Sequence, residues 1–327
     1  MVIPVYQGEK TLESVVSEVL ARSAPSVSDG GHAWRVIEVI LVHDHGPDDS
    51  AAVMRALAQG NPAVRPIWLS RNFGQHAATL AGISSSSGEW VVTMDEDGQH
   101  DPGDIGALLD AAMAGRSALV YASPSNPPPH SGFRNAASRA AKLLVNKFNG
   151  GADARLFHSY RLVLGDVGRS VAAYAGAGVY LDIALSWVVG TPVTASVPMR
   201  DEGDRTSGYS VRTLMSHFWR MVLTGGTRAL RLVSLMGLFF AIGGLTLAAV
   251  LVVNKLTGAN VIAGWTSLAV VLLVCTGVML LSLGVIAEYL GVAVNMAMGR
   301  PPYLITRDPT SGPLGDSDQS RGTHDRA

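Results

Sequence analysis

Cysteine is almost absent from this chain: its 327 residues include one, Cys275. A single thiol excludes a disulfide framework or a cysteine-ligated metal site within the chain. Its place inside an apolar run points to packing. Charge of one sign is also missing. The net charge of −1 at pH 7 gives no overall basic field, so no nucleic-acid partner is expected. The nine histidines show no His-x-x-x-His spacing for a metal, and there is neither a Walker loop nor a Gly-x-Ser-x-Gly elbow. No signal peptide opens the chain, because Met1-Val2-Ile3-Pro4-Val5-Tyr6 reads as a strand. That start is abrupt enough to expect a few more residues before it in the native protein.

What is present is an alternation of short apolar runs and helical patterns. Strands are predicted at residues 2–6, 36–42, 64–69, 90–94 and 118–122, and helices at 10–22, 49–59, 75–84 and 104–114. The run at 36–42 reads as a buried central strand. This βαβα order predicts an α/β fold, a mainly parallel sheet with helices on both faces. Ligands of such sheets sit beyond the carboxyl ends of the strands. Polar clusters fall there: His43-Asp44-His45, Arg71-Asn72 and Asp95-Glu96-Asp97. Residues 123–132, rich in proline and serine, read as a mobile loop over that edge. A basic amphipathic helix at 133–148, a helix at 180–189 and a strand at 192–199 follow.

The C-terminal part is different. Residues 232–254 and 260–287 carry no charge, and each exceeds the roughly 20 apolar residues needed to cross a bilayer. Six arginines lie between Arg200 and Arg231, Arg300 and Arg307 follow the second run, and the connection holds one Lys255. Excess Lys/Arg beside a span marks the cytoplasmic side, so both termini and the head are expected there. Val211, Leu214, Met215, Phe218, Trp219 and Val222 fall on one helical face, which suits a helix lying on the membrane or one packed on the head. The expected division is a head at 1–205, juxtamembrane helices at 206–231, spans at 232–254 and 261–287, and a cytoplasmic tail at 288–327, disordered at its end. Small residues such as Gly237, Gly243 and Gly244 suit hairpin packing between copies, as a dimer or tetramer.

Asp95 and Asp97 are two apart at a strand end, and extended backbone points such residues to one face. Paired carboxylates suit a hard cation such as Mg²⁺ or Mn²⁺ that also takes phosphate oxygens, and Gln99 follows at the same alternation. The competing reading is a solvated turn. Asp44 is placed to accept a hydrogen from a nucleotide base, or to cap a helix. Arg71 suits a phosphate or a structural ion pair. Arg134 and Ser138 are four apart on one helix face and suit a phosphate, against a plain solvated basic face. Arg200 and Arg205 suit a diphosphate or lipid headgroups.

Taken in order, these motifs resemble family-2 glycosyltransferases of the GT-A, Rossmann-like fold. Ser207-Gly208-Tyr209-Ser210, the two spans, Glu288-Tyr289-Leu290-Gly291 and Gly299-Arg300-Pro301-Pro302-Tyr303 narrow the resemblance to polyprenyl-phosphate glycosyltransferases, the group of dolichol-phosphate mannose synthase. The resemblance covers nearly all of residues 1–305. It implies inverting transfer of a sugar from a nucleotide-diphosphate sugar to a polyprenyl phosphate at the cytoplasmic membrane face. It implies that Pro4, Tyr6, Glu9, Asp44 and Asp95 bind the nucleotide, and that Asp95, Asp97 and Gln99 form the metal and diphosphate site. Arg134, Ser138, Arg200 and Arg205 would hold the acceptor phosphate. Departures from the family pattern are His43 for the first acid of an Asp pair, Gln7-Gly8 for Asn-Glu, Ser123-Pro124 for Gly-x-Arg, and a basic loop near Arg200 one residue out of register. The alternatives are a processive polysaccharide synthase, which normally has more spans and a Gln-x-x-Arg-Trp motif, and a catalytically silent membrane scaffold on the same fold.

Overall fold

The structure is a computed structural model describing residues 1–126, 153, 155–176, 178–200, 228–257 and 264–311. In chain order the head holds β1 (Val2–Val5), α1 (Leu12–Leu20), a hairpin of β2 (Ser26–Val27) and β3 (Ala33–Trp34), β4 (Val39–His43), α2 (Ser50–Gly60), β5 (Val64–Leu69), α3 (Gln75–Ser84), β6 (Trp90–Thr93), α4 (Ile105–Gly115), β7 (Leu119–Pro124), β8 (Arg161–Leu164), α5 (Gly165–Tyr174), α6 (Leu181–Val188) and β9 (Val193–Val197). Two long helices follow, α7 (Arg228–Leu256) and α8 (Trp265–Ala297), then β10 (Ile305–Thr306).

Eight strands form one sheet in the order β10-β5-β4-β1-β6-β8-β7-β9. The centre is parallel: β1 pairs with β4 and β6, and β4 with β5. β8 runs antiparallel between β6 and β7, and β10 runs antiparallel to β5. Alternation along the strands sends side chains to two cores. Ile3, Val5, Val39 and Leu41 meet α1, α2 and α4 on one face. Val2, Ile40 and Val42 meet α3, α5 and α6 on the other. Burial on both faces is what a parallel sheet requires, and it explains why Val39–His43 is buried throughout.

The strand expected at 36–42 starts later, at Val39. Ile37 is half exposed, and the buried Glu38 leaves the strand pattern to accept from Ser87 N at 2.6 Å, Ser87 Oγ at 2.9 Å and Arg65 Nη1 at 2.5 Å. The strand β8 and helix α5 had no counterpart in the sequence reading. The predicted helix at 133–148, residues 206–227 of the expected juxtamembrane helices, 127–132 of the expected loop and 312–327 of the tail lie outside the described residues, as do Arg134, Ser138 and Arg205. Arg228–Arg231 already belong to α7, and Ser123 and Pro124, expected in the loop, continue β7 beside β9.

The apolar helices run longer than the uncharged stretches. α8 continues past Glu288 to Ala297, so the tail expected from 288 begins as helix. Among the described residues, Val270–Ala297 is long and apolar enough to cross a membrane, with mean hydropathy 2.7, while Val233–Leu247 within α7 is a shorter apolar stretch. α7 and α8 pack on each other. α8 joins the head at the carboxyl edge of the sheet. There Leu304 O accepts from Ser70 N at 2.9 Å just past β5, and a Cβ on Gly176 would come within 3.2 Å of Met296 Cγ.

Candidate active site

Four loops meet at the carboxyl ends of β1, β4, β5 and β6. The first, after β1, is held by its backbone. Tyr6 N and Gln7 N donate to Glu96 at 3.0 and 2.9 Å. Gly8 N donates to Ser50 Oγ at 2.9 Å and Glu9 N to Asp48 Oδ2 at 3.0 Å. Four consecutive N–H groups are thus satisfied by side chains, which fixes a loop that has no ladder of its own. The Glu9 carboxylate accepts from Asp49 N at 3.3 Å, beside the start of α2. Gly46 passes so close that a Cβ there would lie 1.6 Å from Tyr6 O, so no larger residue fits. Pro4 sits opposite Val42 in the sheet, and the Tyr6 ring is 42% exposed at the edge.

Asp44 is 3% exposed. Its two oxygens accept from Phe73 N at 2.7 Å and Gly74 N at 2.8 Å. Burial pushes its pKa up, while those two N–H bonds, His45 and Arg71 oppose the rise. Gly74 takes φ 92°, a conformation open mainly to glycine, and this turns the chain into α3. Asp44 therefore holds the turn before a helix other than its own. A base would have to use a remaining lone pair of its oxygens. The Arg71 guanidinium lies over the Phe73 ring, 4.1 Å from its centroid.

Asp95 lies just beyond β6, half buried. Its Oδ1 accepts from Gln75 Nε2 at 2.5 Å and its Oδ2 from Ser159 Oγ at 2.6 Å. Its backbone N–H donates to His100 Nδ1 at 3.2 Å. Burial raises the Asp95 pKa and the neighbouring Asp97 charge adds to the rise, whereas Ser159, Arg161 and His158 oppose it. The Asp97 carboxylate accepts from Gln99 N at 3.0 Å and closes the turn. Burial lowers the His100 pKa to about 4, and its ring stacks on Tyr160 with centroids 4.9 Å apart. Beneath the loop, buried Arg161 pairs with Asp182, and its Nε donates to Thr93 Oγ1 at 3.1 Å. Tyr121 OH donates to the same Asp182 oxygen at 2.8 Å.

Arg200 reaches this rim on the α1 side. Its N–H donates to Gln99 O at 3.0 Å, and its guanidinium pairs with Glu18 at 2.7 Å and Asp101 at 2.8 Å. The side chain expected to be available to phosphate is engaged by two carboxylates. Four contributors escaped the sequence reading. Glu96 stood in the motif without a role; β6 ends at Thr93, and the turn at Glu96 and Asp97, rather than the expected strand alternation, brings Glu96 to the first loop. Gln75 carried the signal of opening a helix at a strand end. Ser159 and Arg161 gave none, because β8 inserts beside β6 from distant sequence. A cavity of about 850 Å³ opens at the opposite edge, among Trp34, Val36, Glu38 and Trp90, away from these carboxylates.

No group of three or more His, Cys, Asp or Glu side chains among the described residues forms a metal cluster by itself. Asp95, with the charge of Asp97 beside it, offers carboxylates of the kind a hard cation takes. Such ions commonly take one or two carboxylates and complete their shell with water and substrate phosphate. Two neighbouring acids, one of them raised by burial and further by the other's charge, are a natural place for positive charge.

This sheet, with its acids on loops at the carboxyl edge, is an α/β fold of the GT-A type. Residues 1–173 match the model of Glycosyl transferase family 2, and the chain belongs to that family and is a glycosyltransferase. It is 32% identical over 317 residues to an undecaprenyl-phosphate 4-deoxy-4-formamido-L-arabinose transferase of Pseudomonas aeruginosa, covering 94% of this chain and 89% of the relative. A transferase of the same name from Salmonella paratyphi B is 31% identical, with 93% and 91% covered. The fold also matches glucosyl-3-phosphoglycerate synthase from Mycobacterium tuberculosis in complex with uridine diphosphate. That match has a TM-score of 0.50 at 17% identity and covers 68% of this chain and 77% of that one.

Proposed function

We propose that this enzyme transfers one sugar from a nucleotide-diphosphate sugar to a polyprenyl phosphate at the cytoplasmic face of the cell membrane, inverting the anomeric centre. The observation that carries the reading is spatial. The edge that bears Asp95 and Asp97 is the edge at which apolar α8 joins the head, through Leu304–Ser70 and Met296–Gly176. A soluble donor and a lipid headgroup can meet only where those two features coincide. The relatives named for undecaprenyl phosphate, aligned over nearly the whole chain, support the same acceptor class.

The two helices supply the anchor. At 1.5 Å per residue, the 29 residues of α7 and 33 of α8 each exceed a hydrocarbon core of about 30 Å. We take them as a two-pass hairpin, with the arginines before α7 and after α8 on the cytoplasmic side. The acceptor phosphate is already anionic, so it attacks the anomeric carbon without a strong base. The C–O bond to the diphosphate breaks as the new C–O bond forms, and the electron pair leaves on the nucleotide. Asp95, Asp97 and Gln99 would hold Mg²⁺ or Mn²⁺ with the diphosphate. When bound, the ion neutralises charge developing on that leaving group. Tyr6, Glu9, Pro4 and Asp44 border the nucleotide. Arg134, Ser138 and Arg205 are assigned to the acceptor phosphate, and Arg200 joins them by exchanging a carboxylate partner.

The test is incubation of membranes bearing the protein with a panel of nucleotide-sugars and polyprenyl phosphate, followed by mass analysis of the lipid. The expected product is the lipid plus one glycosyl unit. A ladder of several units supports a processive synthase instead, and no glycosylated lipid from any donor overturns the reading.

A further inference from the structure

We infer that Gln75 is a positioning residue: its side-chain amide orients the Asp95 carboxylate for the divalent cation and ties it to the loop that Asp44 holds. The inference rests on the metal reading above.

The path is continuous and short. The Asp44 oxygens take the N–H groups of Phe73 and Gly74 at 2.7 and 2.8 Å. These bonds fix the turn at φ 92° that opens α3. Gln75 is the first residue of that helix, so the turn sets where its side chain starts. Its Nε2 then donates to Asp95 Oδ1 at 2.5 Å. An ionised carboxylate only accepts hydrogen bonds, which orients the amide with nitrogen toward Asp95. Ser159 Oγ takes the other oxygen at 2.6 Å, and Thr93 Oγ1 anchors the Ser159 carbonyl at 2.6 Å. Asp95 is thus gripped from both sides, from α3 and from the segment leading into β8.

Each carboxylate oxygen offers about two acceptor positions. With one on each oxygen filled by a neutral donor, Asp95 keeps, among the described residues, one free position per oxygen in a set direction. A carboxylate free to rotate would spend conformational entropy on binding a cation, and the grip removes that cost beforehand. Neutral donors suit the task better than a lysine or arginine, whose charge would repel the ion. Outer partners that orient a metal ligand typically matter by about 10–100-fold in affinity.

The experiment is Mn²⁺ titration of the full-length detergent-solubilised protein, read by loss of the free-ion paramagnetic resonance signal, with and without uridine diphosphate. The variants are Gln75→Leu, which keeps bulk but loses the donor, and Ser159→Ala. Thermal unfolding and the Mn²⁺ dependence of transfer are measured alongside. The expected result is Mn²⁺ affinity about tenfold weaker in each variant. The Mn²⁺ concentration for half-maximal transfer should rise in parallel, with transfer largely recovered at saturating Mn²⁺. A role confined to packing would lower the unfolding temperature and the maximal rate without moving the Mn²⁺ midpoint, and that result overturns the inference. Equal Mn²⁺ affinity in Gln75→Leu and the parent overturns it too, leaving the metal reading intact. Failure of the parent protein to bind Mn²⁺ overturns the metal reading and the inference together.

Discussion

Glu96 shows how one side chain shapes a site it does not enter chemically. It accepts the two N–H groups that start the first loop, so Glu96→Ala leaves both without their partner. Both bonds are exposed and water can replace them, so the expected loss is about 0.5–1.5 kcal/mol of stability, read by denaturant unfolding, with a several-fold rise in donor KM and a smaller change in kcat. His43 presents the reverse case. It is 8% exposed, and neither ring nitrogen has a hydrogen-bond partner among the described residues. Burial lowers its pKa, helped by His45 and Arg55 and opposed by Asp48 and Asp308. A histidine lowered on folding supports the fold above its ordinary value of 6.5 and weakens it as pH falls through that value. His43→Phe should therefore raise the unfolding temperature, more at pH 5 than at pH 8. An equal rise at both values would contradict this assignment. At this scale the place of Asp44 and Asp95 just past strand ends was legible, because apolar runs are written locally, whereas a turn at Glu96–Asp97 stands where strand alternation was expected. Gln75–Asp95 and Ser159–Asp95 were not, since they depend on which strands become neighbours.

Among the elements, the strap after α8 has the clearest energetic signature. β10 adds two residues to the free edge of β5, and Arg55 grips Asp308 with Nε and Nη2 at 2.7 and 2.8 Å. Such bidentate pairs are stronger than single ones. Arg55, with Thr310, holds the Asp308 carboxyl down to about 2 from an ordinary 3.8. A carboxylate lowered on folding contributes fully above its unfolded value, and that support fades as pH falls from about 3.8 toward about 2. At neutral pH, Asp308→Ala should speed amide exchange across residues 303–306 while exchange in β1 and β4 stays unchanged. The parallel centre of the sheet was readable from its apolar runs, and the segments at 64–69 and 75–84 match β5 and α3 residue for residue. A two-residue strand like β10 is too short to carry a period. β8 is four residues ending against Gly165, and its antiparallel insertion is decided by packing rather than by local pattern.

At the scale of the whole molecule, the proposed function requires the carboxylate edge to meet a bilayer. The lone Cys275 lies within α8 and is exposed on it, so the chain carries its own depth probe. In intact or permeabilised vesicles a membrane-impermeant maleimide should leave Cys275 unlabelled, and labelling should appear on denaturation. Ready labelling in vesicles would place α8 outside the hydrocarbon. Uncharged length was visible in sequence. The extension of α8 to Ala297, and its junction with the head at the carboxylate edge, required the folded chain. The most direct test of the central claim is the rate of sugar transfer to polyprenyl phosphate by Asp97→Asn beside the parent protein, in the same membranes and with the same donor. The account predicts a fall of about 100-fold or more with the unfolding temperature preserved; near-native transfer by Asp97→Asn would contradict it.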